Sequence, residues 1–67
     1  MDIVATNSQR IINERGMKQK YVAQQMGLSA NQLSAMFYGR KKVDSTTVLK
    51  FCKVLNTTPN ALYGYEE

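Results

Sequence analysis

Histidine is absent from this 67-residue chain, and cysteine and proline each occur once. With no histidine, a single thiol and no cluster of carboxylates, neither a metal site nor a nucleophile–base pair nor a two-acid site can be assembled. The sequence is therefore read as that of a non-enzyme, with no metal and no cofactor. A lone Cys52 excludes an intrachain disulfide and fits a reducing cytoplasm. No apolar run approaches the length of a membrane span, and the N-terminus lacks the apolar core of a signal peptide. The chain is expected to act where it is made, in the cytoplasm. Its four glycines are scattered rather than gathered into a phosphate-binding loop.

Acidic residues are scarce, and their placement says more than their number. Asp2, Glu14, Asp44, Glu66 and Glu67 all lie outside the stretch from Arg15 to Lys42, which carries Arg15, Lys18, Lys20, Arg40, Lys41 and Lys42. The formal net charge is +4, so a polyanion is a plausible partner. A hydrophobic fraction of 43% is too high for a disordered chain, and the length suits one domain, residues 1–67, near the lower size limit for folding without staples.

Pattern and punctuation predict five helices and no strand. The first spans about Asp2 to Arg15, with Val4, Ile11 and Ile12 on one face, and stops at Gly16. A second covers about Gln19 to Met26, weakly started because Lys18 is a poor cap. The third follows Ser29, which with Gln32 forms a capping box, and ends near Tyr38 at Gly39. The fourth runs from about Ser45 to Leu55, capped by Asp44, with Val48, Leu49, Cys52 and Leu55 inward. Asn56 supplies a left-handed exit, and Thr58-Pro59 opens a fifth helix to about Tyr63.

The second and third helices form the most informative unit, QKYVAQQMGLSANQLSAMFY from Gln19 to Tyr38. Ala23 is small where two helices must touch. Gly27 can take positive φ in the turn, and Val22, Met26, Leu28, Leu33 and Met36 fill the joint. That is the pattern of a DNA-reading helix-turn-helix. On the third helix Leu33, Met36 and Phe37 must face the core. Ala30, Asn31, Ser34, Ala35 and Tyr38 share the opposite face, which is small and polar and lets a backbone settle into the major groove. Lys18 and Lys20 flank it on one side and Arg40, Lys41 and Lys42 on the other, where phosphates would lie.

These residues resemble the Cro/phage-repressor family of helix-turn-helix regulators, also called XRE-like. The likeness runs over about residues 8–63: Gly16-Met17-Lys18-Gln19, the two motif helices, and Asp44 through Leu62. It is particularly similar to the lambda repressor DNA-binding domain around Ala35-Met36-Phe37-Tyr38-Gly39. The resemblance implies an all-α, compact five-helix, lambda-repressor-like fold. It also implies a sequence-specific regulator of transcription, a repressor of phage or mobile-element type, that binds an inverted-repeat operator in double-stranded DNA as a dimer.

By position, the resemblance implies that Gln19 touches a phosphate, that Ala30, Asn31, Ser34 and Ala35 read bases, and that Tyr38, Arg40 and Lys42 contact the backbone. Gln32 is added to the base readers, and Lys18, Lys20, Ser29 and Lys41 to the phosphate contacts. Two features depart from the family pattern. Ile12 and Phe37 stand where many relatives have an Arg–Glu pair, so an apolar contact replaces an ion pair. Ala30 offers only a methyl group where many relatives use Gln or Arg, which shifts specificity toward Asn31, Gln32 and DNA shape.

Some residues keep two readings. Cys52 is a small core hydrophobe or a redox sensor, and Tyr21 faces solvent or a phosphate. Leu62, Tyr63 and Tyr65 either cover the small core or form the patch of a weak two-fold dimer. An alternative function is a helix-turn-helix used as a protein-interaction module, such as an antitoxin or anti-repressor. The acid-free motif disfavours it, since docking surfaces for proteins more often mix charge and expose aromatics.

Overall fold

The computed structural model describes residues 2–65 and contains five helices: α1 (Ile3–Glu14), α2 (Gln19–Gln25), α3 (Ala30–Phe37), α4 (Ser45–Leu55) and α5 (Pro59–Tyr63). There is no strand among the described residues. Each start has a local cause. The Asp2 carboxylate accepts from the amides of Val4 (2.8 Å) and Ala5 (3.3 Å). Asp44 accepts from the Thr47 amide and hydroxyl, both at 2.8 Å. Thr58 accepts from the Ala61 amide at 3.1 Å, with Pro59 in the first turn, where its missing N–H costs nothing. At α3 the predicted capping box is complete, Ser29 and Gln32 satisfying each other's amides at 3.1 and 2.9 Å. Lys18 makes no side-chain cap for α2, as expected.

The ends are equally local. Gly27 closes α2 at φ +74, a conformation that a β-carbon would strain and that turns the chain directly into α3. At the end of α4, Asn56 takes φ +52, and the Thr57 amide returns to the Cys52 carbonyl at 3.0 Å.

The core gathers one stripe from every helix. Val4, Ala5 and Ile12 of α1 meet Val22 and Ala23 of α2, Leu33 and Phe37 of α3, Val48, Phe51 and Leu55 of α4, and Leu62 of α5. Ile12 and Phe37 share this cluster, so the apolar replacement of the family's ion pair is accommodated without buried charge. Phe51 is wholly buried, with its ring centroid 6.3 Å from that of Phe37. At this size nearly every buried side chain belongs to the same cluster, and removing one is felt by all five helices.

The structure corrects the fourth and fifth helices. Leu49 does not turn inward; it is 64% exposed, and Phe51 takes the place. The inward stripe is Val48, Phe51 and Leu55, at i, i+3 and i+7, and Leu49 lies about 100° around the helix from Val48. Cys52 sits half-buried at the edge of the core, where loss of hydration pushes its thiol pKa up. Leu62, expected as a dimer contact, is completely buried in its own core and presents no side chain to a partner.

Two long-range bonds lock the scaffold. Asn7 donates its side-chain amide to the Leu62 carbonyl at 2.7 Å, tying α1 to α5. Arg15 donates its guanidinium to the Leu55 carbonyl, closing the C-terminal end of α4, where a positive charge suits the helix dipole. Ser8, wholly buried on α1, has no hydrogen-bond partner for its hydroxyl.

Candidate nucleic-acid interface

The candidate interface comprises α2, α3 and the loop after α3. Burial of Leu33, Met36 and Phe37 fixes the rotation of α3. The opposite side follows: Ala30, Asn31 and Gln32 are exposed, and Ser34 and Ala35 are half-buried at its margins. Small side chains leave the helix backbone itself near the surface. At the start of α2, Lys18 and Lys20 are exposed and Gln19 is half-buried. Beyond α3, Tyr38, Arg40, Lys41 and Lys42 are all exposed. The expected base-reading and phosphate-contacting residues thus lie on α2, on α3 and in the loop after α3, while Tyr63 and Tyr65 lie at the end of α5.

The capping box has a chemical consequence for two of these residues. Gln32 commits its carbonyl oxygen to the Ser29 amide, and the Ser29 oxygen accepts from the Gln32 amide. The Gln32 NH₂ group and the Ser29 hydroxyl proton remain free to donate outward, and each oxygen keeps one further lone pair. This end of α3 therefore suits acceptors such as phosphate oxygens or the O6/N7 edge of guanine. Asn31 is not tied in this way and keeps both its donor and its acceptor for a base edge.

None of the acids among the described residues lies on α2 or α3. Of the three acids among the described residues, Asp2 and Asp44 cap helices, and Glu14 pairs with Arg10 at 2.6 Å on α1. Hydrogen bonds from Thr47, aided by Lys50 and Lys41 nearby, hold the Asp44 carboxyl below the usual carboxylate range. The basic stretch is one cation poorer than the sequence suggested, because Arg15 is spent on α4. No local signal announces that bond, whose partners are 40 residues apart. Tyr21, about half exposed, turns instead toward an open hollow of about 370 Å³ shared with Gln25, Lys53 and Val54.

On α1 and α5, outside the motif, Ile3, Tyr63 and Tyr65 are exposed, at 52%, 44% and 83%. Ile3 lies beside the turn between the two tyrosines, since a β-carbon on Gly64 would stand 3.7 Å from the Ile3 Cδ1 atom. Ile3 was not anticipated in this patch.

Among the described residues there is no group of three His, Cys, Asp or Glu side chains that could hold a metal, and no helix is long and apolar enough to cross a membrane. The family model for the Cro/C1-type HTH DNA-binding domain matches residues 9–67. No curated protein and no solved structure matches the chain.

Proposed function

The chain belongs to the Cro/C1-type helix-turn-helix DNA-binding family, and on that premise we propose that it is a sequence-specific repressor of transcription that lays α3 in the major groove of duplex DNA. The observation that carries this reading is the acid-free face: a small, polar helix surface with cations at both ends. Ala30, Asn31, Ser34 and Ala35 meet base edges. Asn31 is suited to a bidentate pair with adenine, and Ala30 to the methyl group of thymine. Gln32 donates to an acceptor edge. Lys18, Gln19, Lys20 and Ser29 hold the phosphates on one side of the groove, and Tyr38, Arg40, Lys41 and Lys42 those on the other.

One recognition helix reads too few base pairs to address a genome, so two copies act together on an inverted repeat. The whole chain serves as one domain, and Ile3, Tyr63 and Tyr65 form the two-fold contact, setting the recognition helices about 34 Å apart. That patch is small, which makes the free dimer weak, with a Kd in the micromolar range or above. Occupancy of a promoter by such a pair represses by exclusion. The protein works in the cytoplasm, on the nucleoid.

Binding to random-sequence duplex at several salt concentrations tests this reading. With about four phosphates neutralised per subunit, log affinity falls against log salt with a slope of roughly −3 to −4. Affinity that stayed constant between dilute and physiological salt would favour the protein-interaction module instead.

A further inference from the structure

Tyr38 is 76% exposed at the C-terminal cap of α3, and the Arg40 guanidinium carbon lies over its ring, 6.0 Å from the centroid. The backbone between them is fixed. The Arg40 amide donates to the Ala35 carbonyl at 2.8 Å and the Gly39 amide to the Met36 carbonyl at 3.1 Å, so the residue after the turn is pinned to the last turn of α3. No carboxylate among the described residues pairs with Arg40. Lys41 differs, lying close enough to the Asp44 carboxylate to help stabilise its charge. Arg40 is thus held at both ends, by its backbone and by the Tyr38 ring, with no carboxylate paired to it.

We propose that Tyr38 is a positioning residue: its ring holds the Arg40 guanidinium ready for a phosphate at the rim of the groove, and Arg40 is the anchoring cation of the Arg40-Lys41-Lys42 triplet. This rests on the DNA-binding reading above and narrows it. The family likeness counts Tyr38 among the backbone contacts; here it serves that contact through Arg40, with its ring face. A long cationic side chain loses rotamer freedom when it grips a phosphate, and one already stacked has less to lose. Arginine suits the task because its planar group can stack on an aromatic face while its N–H edge stays available for two phosphate oxygens.

The test is a double-mutant cycle on random-sequence duplex DNA, with an NMR readout on the free protein. Arg40→Ala should lower affinity about tenfold and make the salt slope shallower by about one unit. Tyr38→Ala should cost two- to fivefold, the fold-change equivalent of an exposed cation–π contact. Tyr38→Phe should rescue that loss, because the ring is kept and only the hydroxyl is gone. In the Arg40→Ala background, Tyr38→Ala should cost nothing more. Upfield ring-current shifts of the Arg40 side-chain protons should be present in the free wild-type chain and absent in Tyr38→Ala. A Tyr38→Phe chain as weak as Tyr38→Ala would overturn the proposal in favour of a hydroxyl contact, and so would equal losses with and without Arg40. Failure of the unsubstituted chain to bind duplex at all would instead overturn the regulator reading, while the ring-current shift still reported on the stack.

Discussion

The two halves of this small protein start their helices differently. In the scaffold of α1, α4 and α5, the caps are Asp2, Asp44 and Thr58; two are carboxylates, stabilising both through hydrogen bonds and through the positive end of the helix dipole. In the motif, α3 is capped by neutral Ser29 and Gln32, and α2 begins at Lys18 with no side-chain cap. Lys18 has the extended backbone of an N-cap, φ −85 and ψ 133, so the geometry for a carboxylate is there and only the residue is missing. The motif gives up that stabilisation where the proposed function would put a phosphate, which a negative charge would repel. The scaffold helices use the acids as caps, Asp2 before α1 and Asp44 before α4, the latter beside Lys41. Stability and proposed function thus make opposite demands on charge, and the chain meets them in separate regions.

The largest expected effect lies on the scaffold side. Phe51→Ala should cost about 3–5 kcal/mol, by loss of buried area and the cavity left beside Phe37. That is most of the stability of a domain this size, roughly 3–10 kcal/mol. Urea titration followed by far-UV circular dichroism should show a largely unfolded chain, whereas Asn31→Ala should shift stability by no more than about 0.5 kcal/mol. A folded, stable Phe51→Ala protein would mean that the core is not shared among the helices as described.

Within the motif, Asn31→Ala should weaken binding to a preferred site, selected from a random pool, by about 1–3 kcal/mol while sparing random DNA. Lys42→Ala should weaken both equally and flatten the salt slope by about one unit. Equal losses on both DNAs for Asn31→Ala would show that the reading face of α3 has been misplaced.

Position 18 sharpens the contrast directly. Lys18→Asp should raise stability by about 1 kcal/mol through a new cap while reducing DNA affinity and its salt dependence. Lys18→Ser should give a similar cap without the repulsion, losing only the one cationic contact. If Lys18→Asp bound DNA as well as the parent, α2 would not begin against a phosphate.

The smallest effect is a pH dependence. The Asp44 carboxyl is held below its unfolded-state pKa near 3.8, chiefly by the two Thr47 hydrogen bonds. Its contribution is therefore present above that value and fades as pH falls through the lower folded-state pKa. Stability measured from pH 6 down to pH 2 should fall in the acid range, and Asp44→Asn should flatten that fall. An unchanged acid profile in Asp44→Asn would assign the loss to other carboxylates.

Much of this architecture was legible in the sequence because it is made by neighbours. The Ser29–Gln32 box, the Asp44 cap, the Thr58-Pro59 start and the Asn56 exit all involve residues a few positions apart, and all are found where the pattern placed them. The face of α3 followed from three apolar residues at one spacing. What escaped depends on distant partners. In α4, apolar residues at 48, 49, 51, 52, 54 and 55 leave the helix hydrophobic almost all round. Only the positions of α1, α3 and α5 decide that Phe51 faces in and Leu49 out. Leu62 looked available because it lies beside Tyr63 and Tyr65, yet Asn7, 55 residues away, and the α1 core claim it. The bond from Arg15 to α4 is of the same kind.

The central claim is that the acid-free motif, and not the scaffold, meets DNA. Amide and side-chain NMR shifts of the labelled chain, titrated with duplex, test it residue by residue. The account predicts changes concentrated at residues 18–20, 29–35 and 38–42, with the exposed sides of α1 and α4 silent. Changes centred on Leu49 and Lys53 of α4, or on the hollow beside Tyr21, with residues 29–35 unmoved, would contradict it.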